Sequence, residues 1–115
     1  MPTFEVWDIV KVPFPYTSRP VRQSRPALVV AARHFSAAGD LLWVLMITSA
    51  DNRPWPGDAV ISDLREAGLP APSMVRSAKI ATIEAADAQF LGRLPAADRA
   101  LVTNHIRSHL AGVID

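Results

Sequence analysis

The chain has 115 residues, half of them apolar and a fifth charged, with a net charge of +1 and no cysteine. That length suits one ordinary domain, expected over residues 1–115, with enough apolar surface for a real core. Missing cysteine excludes disulfides, thiolate nucleophiles and thiolate metal sites, and the longest strongly apolar run, 41–47, is far short of the roughly 20 residues that a bilayer helix needs.

In chain order, the opening MPTFEVWD carries an early acid and no basic or long apolar stretch, so no secretory signal is expected; a cytoplasmic protein without membrane contact is. Trp7 to Val12 nearly alternates β-branched and polar residues and predicts a strand, stopped by the P-F-P of 13–15, where proline cannot donate to a ladder. Tyr16 to Ser24 predicts a loop. Arg25 to Ala32 predicts a second strand, with Pro26 tolerated at its start. His34 to Asp40, holding Gly39, predicts a turn. Leu41 to Ser49 is apolar on both faces, the pattern of a central strand covered on each side. Asp51 to Asp58 is dense in turn formers. A short strand at Ala59 to Ser62 and a helical turn over Asp63 to Ala67, closed by Gly68, follow. Ser73 to Arg76 and Lys79 to Glu84 read as two short strands or one bent strand, Ala85 to Gln89 as a brief helix, and Phe90 to Leu94 as a last strand. After Pro95, Val102, Ile106, Leu110 and Val113 recur at helical spacing, with Gly112 near the end of this amphipathic helix. Short strands with one terminal helix predict a small, strongly curved barrel, mainly β or α+β.

Ten of the twelve cations are arginine, the others being Lys11 and Lys79, and between residues 11 and 33 there are five cations and no acid. Guanidinium forks stay charged and hold phosphate through paired donors. That stretch is expected to be either a positive patch or a solvated loop. His105 and His109 stand at ligand spacing on the helix, but no third ligand or H-E-x-x-H accompanies them; an exposed face is expected, not a metal site. His34 is expected in solvent. There is no G-x-S-x-G elbow and no glycine-rich phosphate loop, so neither serine hydrolysis nor a cofactor is expected.

Several ordered segments resemble the MazF/PemK toxin family: W-D-I-V-K-V-P-F-P at 7–15, R-P-A-L-V-V at 25–30, I-T-S at 47–49, then G-L-P at 68–70, S-M-V-R at 73–76, Lys79-Ile80 with Thr82-Ile83, and L-G-R-L at 91–94. The resemblance runs over nearly the whole chain. It implies an SH3-like barrel of MazF/PemK/CcdB-like type with a C-terminal helix, a homodimer, a cognate antitoxin as partner, and endoribonuclease cleavage of single-stranded RNA. Two positions depart from the family pattern: Ala78, where many relatives carry an acid, and Ala81, where arginine is frequent.

Metal-independent cleavage of RNA has the 2′-hydroxyl attack its own phosphate, leaving a 2′,3′-cyclic phosphate and a 5′-hydroxyl. The protein must assist proton loss, neutralise the phosphoryl oxygens and assist the leaving oxygen. By the resemblance Arg25 and Thr48 are the catalytic pair. Arg25 would clamp the phosphate, because a guanidinium keeps its charge and is a poor base; Thr48 would donate to a phosphoryl oxygen. Arg19, Arg22, Ser49, Arg76 and Lys79 are assigned to RNA contact, and Tyr16 and Trp55 to base stacking. Each has a plainer reading: solvated arginines, a Tyr16 ring packed on the barrel, and a Trp55 that closes its proline-rich loop. Rival readings are an RNA binder without turnover, a gyrase-inhibiting toxin on the same fold, and a peptide adaptor, for which eight aromatic residues are few.

Overall fold

Alternation along the chain is realised as six strands, β1 (Asp8–Pro15), β2 (Arg22–Phe35), β3 (Gly39–Ser49), β4 (Asp58–Val60), β5 (Ser73–Glu84) and β6 (Gln89–Arg93). With them come α1 (Leu64–Ala67), a 3-10 turn (Ala85–Asp87), α2 (Ala96–His109) and α3 (Ala111–Ile114). The structure, a computed structural model, describes residues 3–15 and 22–114. The strands form one antiparallel sheet in the order β4-β5-β3-β2-β1-β6, mainly β with a C-terminal helix as expected.

Several boundaries differ from the sequence reading, each for a physical reason. β1 runs on through Pro13 and Pro15, because among the described residues it pairs beyond Lys11 with β2 alone, and an edge needs no N–H on its open side. The β2–β3 turn is shorter than 34–40: the Ala38 N–H donates to Phe35 O at 3.0 Å, and Gly39 follows at φ +79°, a left-handed residue that returns the chain into the ladder. β5 is one bent strand. Its ladder slips where the adjacent residues Leu45 and Met46 pair with Ile80 and Arg76. The terminal helix breaks at Leu110 into α2 and α3, so that Gly112, a weak helix former, lies within the short second piece.

β3 is central and serves two cores. Leu42, Val44 and Met46 join Val10, Val12, Ala27 and Val29 in one cluster. Leu45 and Ile47 turn the other way, onto Ile9, Leu28, Ala67, Leu94 and Val102, the last from α2. Each fully buried Leu, Ile or Val contributes about 1.5–3 kcal/mol. This double coverage explains why 41–47 is apolar on both faces.

Among the described residues the edge strands β4 and β6 do not pair with each other. α1, which follows β4, packs on β6 instead. Asp63 caps α1 by accepting from the Arg65 and Glu66 N–H groups, and Gly68 ends it at φ +73°. The contact is backbone to backbone: a Cβ on Gly68 would strike the Leu91 carbonyl, and one on Gly92 would lie 2.5 Å from the Ala67 carbonyl carbon. Asp98 of α2 ties in the end of β4 by accepting from the Ser62 N–H at 2.8 Å and its hydroxyl at 3.0 Å. So fixed, residues 69–73 run beside the start of β2. No described helix is long and apolar enough to cross a membrane.

Candidate active site

Register decides which side chains meet. Ala27 of β2 pairs with Met46 of β3 at the end of that ladder, and Arg25 and Thr48 each lie two residues beyond this pair. On their far sides, Arg25 pairs with Val12 of β1 and Thr48 with Met74 of β5. Both line one groove of about 220 Å³, together with Ser49 and the 69–73 segment. The sequence-assigned pair, and Ser49 with it, are thus brought together.

Arg25 is half-buried, and Thr48 is buried at 4% exposure. Thr48 Oγ1 accepts a hydrogen bond from Asn52 Nδ2 at 2.6 Å. Directly after Thr48 the chain reverses: Ser49 Oγ accepts the Asp51 N–H at 3.2 Å, Ser49 O the Asn52 N–H at 3.0 Å, and Pro72 O the Ala50 N–H at 3.0 Å. The opposite wall, Leu69 to Pro72, is apolar. Among the described residues, no carboxylate or imidazole lines the groove. A guanidinium and hydroxyls beside an apolar wall are a donor set for an oxyanion such as phosphate.

Trp55, Arg76 and Lys79 do not line this groove; the two cations lie over the Trp55 ring. Arg76, assigned from sequence to RNA contact, is 6% exposed: its Nε donates to Asp58 Oδ1 at 3.1 Å, and its Nη2 to Asp58 Oδ2 and Arg53 O, each at 2.9 Å. Its guanidinium also lies 4.1 Å from the Trp55 ring centre, with Lys79 Nζ at 5.2 Å. Arg76 is a strut between β5 and the 53–58 loop, because an enclosed carboxylate claims its donors. The Trp55 backbone N–H ties the same loop onto Asp58 Oδ2. Lys79 is exposed. Burial would raise the Asp58 carboxyl; the Arg76 guanidinium, the Trp55 N–H donated at 2.8 Å, and His105 outweigh it and hold Asp58 below the usual carboxylate range.

The helix histidines do not simply face solvent. The Ser77 hydroxyl, between Gly57 O at 2.8 Å and His109 Nε2 at 3.1 Å, has one hydrogen; given to the carbonyl, it leaves His109 Nε2–H as the donor. His105 is half-buried, its Nδ1 enclosed without a described partner. His34 is exposed as expected, 2.7 Å from Asp40 Oδ1. Tyr16 and Arg19 lie outside the described residues, and Arg22 opens β2 opposite Pro15. Sequence reasoning missed Asn52, Asp58 and the 69–73 wall. Asn52, four residues past Thr48 in a turn-forming run, is the only one with a usable local signal.

Residues 5–110 match the family model described as PemK-like, MazF-like toxin of type II toxin-antitoxin system. No curated protein matches the sequence. Among solved structures, the chain is similar to an endoribonuclease in complex with its cognate antitoxin from a mycobacterial species, at TM-score 0.72 and 14% identity over 95% of this chain and 96% of that one. It is also similar to the Mycobacterium tuberculosis toxin MazF-mt6, at TM-score 0.68 and 19% identity over 90% and 96% of the two chains. A MazE–MazF structure from Deinococcus radiodurans matches at TM-score 0.67 and 21% identity over 92% and 93%. At these identities the likeness concerns the fold.

Proposed function

The chain belongs to the PemK-like, MazF-like toxin family of type II toxin-antitoxin systems, and from that premise we propose that it is an endoribonuclease that cuts single-stranded RNA without a metal. The observation that carries this reading is the convergence of Arg25 and Thr48 on one groove. Arg25 would grip the scissile phosphate through its paired N–H donors. Thr48 would donate to a phosphoryl oxygen as charge builds there, an interaction whose removal typically costs about 2.7–4 kcal/mol of barrier. The 2′-oxygen forms the new bond to phosphorus and the 5′-oxygen departs, leaving cyclic phosphate and 5′-hydroxyl ends. Among the described residues the groove lining holds no carboxylate or imidazole and is a poor seat for a divalent cation, which supports direct electrostatic stabilisation. As in the mycobacterial complex, a cognate antitoxin is the proposed partner in the cytoplasm, and a second copy of the chain the proposed assembly. Phe35, Trp43 and Ile80, each at least half exposed, supply apolar surface of the sort that assemblies cover.

Purified protein is expected to cleave a mixed RNA pool in EDTA, with 5′-hydroxyl ends at the cuts. Arg25→Ala should abolish cleavage while circular dichroism shows the fold kept; full activity in that variant would refute the assignment. One observation favours a second reading, RNA binding without turnover: among the described residues the groove lining contains no ordinary base for the 2′-proton. RNA bound but left intact by the wild type would decide for it.

A further inference from the structure

We propose, resting on the nuclease reading above, that Asn52 is a positioning residue that sets the direction of the Thr48 hydroxyl. A threonine hydroxyl has one hydrogen and two lone pairs, whereas an amide nitrogen only donates. With Asn52 Nδ2 2.6 Å from Oγ1, one lone pair is occupied and the hydroxyl hydrogen cannot point at Asn52. Thr48 is buried at 4% exposure, and it lines the same groove as Arg25. The hydrogen is therefore left to turn toward an acceptor placed in that groove. A phosphoryl oxygen there meets a donor already aimed at it, not a rotor that presents its lone pairs for part of the time. Preorganised donors need no reorganisation as charge develops, and a donor onto Oγ1 also polarises the O–H and strengthens its own donation.

Asn52 is itself held by local geometry. Its N–H closes a turn onto Ser49 O at 3.0 Å, and that turn is braced by Ala50 N–H on Pro72 O and by Asp51 N–H on Ser49 Oγ. Its side chain is largely exposed and belongs to neither core cluster, so replacing it leaves the folded framework in place. The turn thus couples the end of β3 to the 69–73 wall and aims the hydroxyl between them.

The test is a double-mutant cycle read by single-turnover cleavage. The substrate is an RNA oligonucleotide that carries the main cut made by the wild type in a mixed pool; the binding probe is the same oligonucleotide with 2′-O-methyl groups. Asn52→Ala should slow cleavage ~10-fold, and Asn52→Asp, whose carboxylate would draw the hydroxyl hydrogen away from the groove, ~100-fold. Asn52→Ala should leave affinity for the 2′-O-methyl probe within about twofold, because ground-state binding does not depend on that hydrogen. In a Thr48→Val background, Asn52→Ala should slow cleavage less than about twofold further, since its effect passes through Thr48. Equal rate reductions in both backgrounds, an effect confined to probe affinity, or unchanged rates would overturn the inference and leave the nuclease reading standing. A wild type that binds RNA and cuts none would overturn both.

Discussion

Replacing Arg76 by methionine separates the sequence assignment from the structural one. Methionine keeps most of the aliphatic volume but removes a guanidinium that donates twice to Asp58, at 3.1 and 2.9 Å, and once to Arg53 O at 2.9 Å. Both side chains of the pair are almost enclosed, at 7% and 5% exposure, so solvent cannot screen the carboxylate left behind. Removing one partner of such a buried pair costs about 3–5 kcal/mol, which for a domain of this size is a fall in Tm of ~12–20 °C. Thermal unfolding at neutral pH, followed by circular dichroism, measures it. The difference from wild type should narrow in acid. In the wild type Asp58 sits below its ordinary value, so its contribution is present above pH ~3.9 and lost as pH falls through the lowered value. In the variant, burial without the guanidinium favours the protonated acid, which becomes progressively less costly to enclose. At a temperature where the variant is folded, the salt dependence of its RNA binding should match the wild type. An unchanged Tm together with a flattened salt slope would refute the strut and return Arg76 to the RNA-contacting set.

Two other perturbations probe the frame of the groove and its approach. Gly92→Ala sets a Cβ 2.5 Å from the Ala67 and Glu66 backbone and should destabilise by about 1–3 kcal/mol. Gly112→Ala, whose Cβ meets nothing within 4 Å, should be neutral or gain up to about 1 kcal/mol; equal Tm shifts in urea-matched melts would argue against close packing of α1 on β6. Arg19→Glu with Arg22→Glu should weaken RNA binding and flatten the slope of log K against log salt by about 0.7 for each phosphate no longer neutralised. An unaltered slope would show that Arg19 and Arg22 take no part.

Local pattern carried much of the fold. β-branched alternation marked β1, the two-faced apolar run marked β3 as central, and an Asp-to-Gly frame marked α1 almost to the residue. The boundaries that moved did so through neighbours. β1 continues across two prolines because, among the described residues, its far side has no ladder partner beyond Lys11, and a proline signal cannot report whether such a partner exists. The candidate site divides the same way. Arg25 and Thr48 stand out by family pattern, whereas Asn52, Asp58 and the 69–73 wall owe their roles to tertiary neighbours that no periodicity encodes.

Sequence by itself determined which stretches are strands, which faces are apolar and where the guanidinium groups are concentrated, since each follows from residue type and spacing along one segment. Only the tertiary structure decided how those guanidinium groups are used. Arg25 and Thr48 line one groove just past the last β2–β3 pair, Ala27 with Met46, while Arg76 is held by Asp58, 18 residues earlier in the chain. A charge is committed by what is enclosed beside it, and enclosure belongs to the assembled sheet.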